Sequence, residues 1–105
     1  MTVYKLIVTS YFNSELLKKT QDIADTFGDA FGARRFYEDV TRSIAQTHSY
    51  LPIIKPKCYI TQDGVNYYRI AIRKHMVIYS LEGDKMIVWQ LRYGRQDISN
   101  LRIKR

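Results

Sequence analysis

The order of hydrophobic periods along this 105-residue chain predicts an α+β fold, a helical hairpin packed on one mainly antiparallel four-stranded sheet in the order βααβββ. Three observations carry the prediction. The chain opens on a run of β-formers; two apolar stripes at helical spacing follow, parted only by Gly28-Asp29; and three β-rich runs then succeed one another across hairpin-length links.

The first run is Val3 to Thr9, where Tyr4, Leu6 and Val8 alternate with Val3, Lys5 and Ile7. Apolar residues on both sides of that alternation predict a strand covered on two faces, hence central. Ser10 offers an N-cap to a helix over Tyr11 to Phe27, in which Leu16, Ile23, Ala24 and Phe27 share a side and Gly28 ends the run. Asp29 offers a second cap. From there Ala33, Phe36, Tyr37, Val40 and Ile44 form a stripe down to about His48, with Pro52 marking its limit. So short a gap makes the helices an antiparallel hairpin.

Ile53 to Gly64 reads as an exposed connection with a short extended piece around Cys58 to Thr61, because Pro52, Pro56 and Asp63-Gly64 punctuate it. Strands follow at Asn66 to Arg73, Met76 to Leu81 and Lys85 to Tyr93, with links at Lys74-His75 and Glu82-Gly83-Asp84. Strand alternation sends Tyr68, Ile70 and Ile72 toward the helices and Tyr67, Arg69, Ala71 and Arg73 toward an open face.

At this length, with 46% hydrophobic and 26% charged residues, one core and one domain over residues 1–105 are expected. No apolar run approaches the ~20 residues that span a bilayer and no signal-like start is present, so a cytoplasmic protein is expected. Cys58 stands alone, without a metal partner at the usual spacing, and no metal or cofactor is expected. Paired carboxylates and Ser/His/Asp or Cys/His constellations are missing. His48 falls at a helix end and His75 in a hairpin link, where capping and dipole roles are the ordinary explanation.

The formal charge of +7 is unevenly placed: residues 1–52 hold six Lys/Arg and six Asp/Glu, residues 53–105 eleven against four. A basic half on a small domain points to nucleic acid, an acidic protein or solubility. The candidate target-binding residues are Arg69 and Arg73 on the open face, Tyr93 and Arg95 at the end of the last strand, and the basic terminus Arg102, Lys104 and Arg105. Asp97 is placed either to orient Arg95 or to cap a turn beginning at Ile98.

Tyr4 to Thr9, the helices, Leu51-Pro52, Tyr68-Arg69-Ile70, Ile78-Tyr79 and Gly94-Arg95-Gln96-Asp97, taken in that order and spacing, resemble the RelE/ParE superfamily of bacterial toxins from type II toxin–antitoxin pairs. The resemblance covers nearly the whole chain. It implies the same α+β fold and one of two activities. In the nuclease branch, cations on successive strands serve a metal-independent cleavage of ribosome-bound mRNA. Here Arg69 keeps the first of those places, whereas Ala71, Met76 and Gln96 stand where others would be, and Gly94-Arg95 replaces a histidine-tyrosine variant.

What remains is closer to the ParE branch. That branch implies a toxin that poisons DNA gyrase by binding it, neutralised by a cognate small antitoxin, acidic and partly disordered when free. A ribosome-dependent mRNA endoribonuclease is the alternative, and a basic interaction module without toxicity the second alternative.

Overall fold

The computed structural model describes residues 3–51, 53–94 and 103. Strand β1 (Lys5–Val8) leads into helices α1 (Ser10–Thr26) and α2 (Ala30–Tyr50), and strands β2 (Ile60–Gln62), β3 (Val65–Ile72), β4 (His75–Glu82) and β5 (Lys85–Tyr93) complete one sheet in the order β1-β5-β4-β3-β2. The fold is the expected α+β arrangement with one strand more than the four counted in the sequence. β2 is the extra strand, and it lies in the stretch read as a connection with an extended piece. β1, expected at the centre, is instead an edge strand paired parallel to β5 alone, its apolar residues half-buried against the main core; every other pair is antiparallel.

Each helix begins at a side-chain cap. Thr9, not Ser10, caps α1: its hydroxyl accepts from the Phe12 amide at 3.3 Å and donates to the Val88 carbonyl at 2.8 Å. The residue one place earlier wins because it is still tied to β5 by its backbone, Thr9 N–H to Val88 O. Asp29 caps α2 as expected, accepting from the Gly32 amide at 2.7 Å. Gly28, at φ +60°, makes the left-handed step that ends α1. At the far end of α2, His48 Nε2 lies 2.5 Å from the Tyr4 carbonyl and fastens the helix to the start of the sheet.

The main core fills the space between hairpin and sheet. Phe12 and Leu16 of α1 and Val40 and Ile44 of α2 meet Ile72, Val77, Tyr79, Met86, Val88 and Leu91, with Tyr68 and Ile70 packed against them. Burying each of these side chains is worth roughly 1.5–3 kcal/mol. The face assigned to Tyr68, Ile70 and Ile72 is therefore the covered one.

The opposite face is not simply open. Tyr67, expected there as an accessible aromatic, is 1% exposed, enclosed with Met76, Ile78 and Ile103 in a second cluster bordered by Tyr59, Ile60, Val65 and Trp89. Ile103 donates its backbone N–H to the Gln62 side chain at 2.9 Å, which seats it over β2 and β3. A period of two reports which residues share a face. It does not report what comes back to cover that face from thirty residues later in the chain.

A bulge interrupts β5. Ile78 pairs with Gln90 and Tyr79 with Val88, so Trp89 is an extra residue and the alternation of β5 flips across it. Met86 and Val88 before the bulge and Leu91 after it all reach the main core.

The β3–β4 turn is Arg73-Lys74 rather than Lys74-His75, since Ile72 pairs with His75. Arg73 takes φ +55°, a conformation that costs a residue with a Cβ about 1–2 kcal/mol. Its ion pair with Asp39 has an exposed guanidinium and is worth about 1 kcal/mol at most. Arg73→Gly should therefore unfold at the same or a higher urea concentration than the parent, whereas Arg73→Val should lose about 1 kcal/mol or more. A Gly variant clearly less stable than the parent would show that the turn is not strained.

Candidate functional site

The β3–β4 turn and the end of β5 meet at one end of the sheet. His75 pairs with Tyr93, Met76 with Arg92 and Ala71 with Met76, and the Gly94 N–H donates to the Lys74 carbonyl to close the end. Gly94 does this at φ +60°, which few residues other than glycine adopt without strain.

Two clefts flank this end and share His75 and Tyr93 as their wall. The first, of about 450 Å³, is lined by Arg69, Ala71, Arg73, Lys74, Met76 and Gly94 as well as the shared pair. Its floor is apolar, because Ala71 and the almost fully buried Met76 face each other across β3 and β4. Its rim is basic. The Arg69 guanidinium lies 4.8 Å over the Tyr59 ring, and Arg73 reaches Asp39 of α2 at 3.3 Å.

The second cleft, of about 400 Å³, opens between α1 and β5 and includes Tyr11, Glu15, Lys18, Lys19, Asp22 and Arg92. Here β1 has already ended, so the Leu91 N–H has no strand beside it. The Glu15 carboxylate accepts it at 3.1 Å. Burial raises the Glu15 carboxyl above its ordinary value, against the opposing pull of that hydrogen bond and of Arg92.

His75 and Tyr93 hold the wall together. The imidazole sits 4.8 Å from the Phe36 ring and edge-on to Tyr93 at 5.1 Å, while the Lys19 ammonium lies 5.3 Å over Tyr93. Burial lowers the His75 pKa from 6.5, and the Lys19 charge lowers it further. Its Nε2 is buried and has no hydrogen-bond partner among the described residues. A nitrogen shut away from solvent is poorly placed to relay a proton. Among the described residues no group of three His, Cys, Asp or Glu could hold a metal ion.

The fold thus brings Arg69, Arg73 and Tyr93 to one cleft, with Tyr93 56% exposed. Arg73 is not a strand residue on the open face but a turn residue braced against α2, because the strand ends one residue sooner than its alternation implied. Arg95, Arg102, Lys104 and Arg105, together with Gln96 and Asp97, lie outside the described residues. Sequence reasoning missed Lys19 and Lys74 and placed His75 in a link. Two strands of equal length, each of eight residues, joined by a two-residue turn were the available signal for His75. None existed for Lys19, whose place depends on how α1 crosses β5.

The family model described as the ParE toxin of the type II toxin–antitoxin system parDE matches residues 6–98. The chain belongs to this family. Among solved structures it matches the chromosomal ParDE toxin–antitoxin system from P. aeruginosa, with a TM-score of 0.71 and 10% identity over 89% of this chain and 98% of that one. At that identity the likeness is one of fold. No curated protein matches the chain. For this ParE-family toxin the described residues include no helix long and apolar enough to cross a membrane.

The half-buried imidazole gives a pH test. A histidine whose folded pKa is lowered binds fewer protons folded than unfolded, so its contribution is intact above 6.5 and stability falls as pH drops through 6.5 toward the lower folded value. Between pH 7.5 and 5, the parent should lose more unfolding free energy than His75→Phe, and Glu15 affects both proteins alike. Equal losses on urea denaturation would remove His75 from the account.

Proposed function

We propose that this toxin acts in the cytoplasm as one domain over residues 1–105, arresting growth by binding and poisoning DNA gyrase. A cognate antitoxin, acidic and partly disordered when free, neutralises it. The observation that carries the reading is the floor of the basic cleft. Where a nuclease would need donors for a charged phosphate, Ala71 and Met76 present a methyl and a thioether, paired with each other. An apolar floor ringed by arginines and an exposed tyrosine is instead the anatomy of a protein-binding hot spot, in which a partner's side chain is buried and its polar neighbours are held at the rim.

Arg69, Arg73 and Tyr93 are the rim residues assigned to target binding. Arg95, Arg102, Lys104 and Arg105 extend that assignment beyond the described residues. The basic half of the sequence complements an acidic antitoxin tail, and such a tail folds as it binds. A ribosome-dependent mRNA endoribonuclease remains the competing reading on one observation, that Arg69 and Tyr93 flank the same cleft.

Purified toxin should inhibit gyrase supercoiling or accumulate cleaved DNA, and it should leave codon-linked mRNA cleavage absent from a translating extract. Arg69→Ala, Arg73→Gly and Tyr93→Ala should each weaken the effect on gyrase by about 10-fold or more, the usual scale for a hot-spot residue. Specific mRNA cleavage that disappears with Arg69→Ala would replace the gyrase reading with the nuclease one.

A further inference from the structure

Tyr93 is placed by its neighbours rather than by burial. It is 56% exposed, it is the last residue of β5, and the Gly94 N–H bonds back to the Lys74 carbonyl directly after it. A ring so open would sample several staggered rotamers, and selecting one of them for a partner would lower the affinity. His75 and Lys19 restrict it. His75, opposite on β4, stands edge-on to the ring at 5.1 Å and is itself backed by Phe36 of α2 at 4.8 Å. The Lys19 ammonium of α1 lies 5.3 Å over the ring centroid, within the range at which a cation is drawn to an aromatic face.

Lys19 reaches the ring because its nearest acids do not hold it. Glu15 and Asp22 lie four residues before and three after it on α1, the spacings at which a helix pairs opposite charges. The Glu15 carboxylate instead accepts the Leu91 N–H at 3.1 Å, and among the described residues Lys19 forms no ion pair with either acid. Lys19 is half-buried while its neighbour Lys18 is exposed, as befits a side chain laid against the protein. It lines the second cleft, whereas Arg69 and Arg73 line the first, and Tyr93 is the wall between them. The ammonium therefore acts on the ring from behind.

We infer that Lys19 is a positioning residue for target binding: it holds the Tyr93 ring in one rotamer as the wall of the basic cleft, and so sets how tightly that cleft takes its protein target. This deepens the reading of the cleft as the target site and rests on it. A partner meets a ring already in place, and affinity rises without Lys19 touching the partner.

The test compares Lys19→Met, which keeps an unbranched stem and removes the charge, with Lys19→Arg, which keeps a cation able to stack on the ring. Lys55→Met removes the same charge outside both clefts. In NMR spectra of tyrosine-labelled toxin, the Tyr93 Hα–Hβ couplings should report one rotamer in the parent and in Lys19→Arg, and an average in Lys19→Met. Capture of gyrase by immobilised toxin should weaken about 2- to 5-fold in Lys19→Met, the scale of a cation–π contact, and stay near the parent in Lys19→Arg and Lys55→Met. In a Tyr93→Leu background Lys19→Met should have no further effect. Unchanged couplings in Lys19→Met, or equal weakening in Lys19→Arg or Lys55→Met, would overturn the inference. So would the full Lys19→Met loss persisting beside Tyr93→Leu, which would assign Lys19 to direct contact with the target. If the parent captures no gyrase, the gyrase reading falls, while the couplings still decide whether Lys19 positions Tyr93.

Discussion

β5 is the strand on which everything else is hung. It is paired on both sides, parallel to β1 and antiparallel to β4, and each of its faces lies against a different apolar cluster. A strand so enclosed must satisfy its backbone along its length and must offer apolar side chains in both directions. The bulge at Trp89 sets which way the rest of the strand faces. Without it, strict alternation from Met86 and Val88 would turn Tyr93 away from the helices; with it, Tyr93 comes to Lys19 and His75. One extra residue thus decides which side of the sheet the exposed Tyr93 occupies.

That dependence explains what the sequence disclosed and what it did not. Helix extents, strand runs and the Asp63-Gly64 and Gly83-Asp84 turns follow from local propensity, so the architecture was legible, but Phe27 and Tyr37 of the expected stripes are exposed and Phe12 takes the buried place in α1. The bulge was not, because Met86-Ile87-Val88-Trp89 is apolar at every position and carries no alternation to be broken. Tyr67 was misplaced for a related reason: its burial depends on Ile103, a tertiary contact. Arg69, Arg73 and Tyr93 were legible as candidates, while Lys19, Lys74 and the role of His75 emerge only when α1, the turn and β5 converge.

The two clusters are unequal. The main one draws on both helices and four strands, whereas the second is closed by Ile103 over β2 and β3, with the three-residue β2 at the sheet's edge. Met76 is one of its four described buried residues and pairs with Ala71, so the floor of the candidate site is continuous with the second cluster, while the wall of His75 and Tyr93 stands on the helix-covered side.

β1 is only four residues long, and it leaves β5 beyond Val88 without a neighbouring strand on that side. An uncovered strand edge is a template onto which any extended chain can add itself, including a second copy of the same protein. Glu15 removes that opportunity at Leu91 by occupying the amide with a carboxylate. A backbone amide already occupied from within the chain cannot accept an added strand at this point. Selectivity here begins with a hydrogen bond that is denied to everyone else.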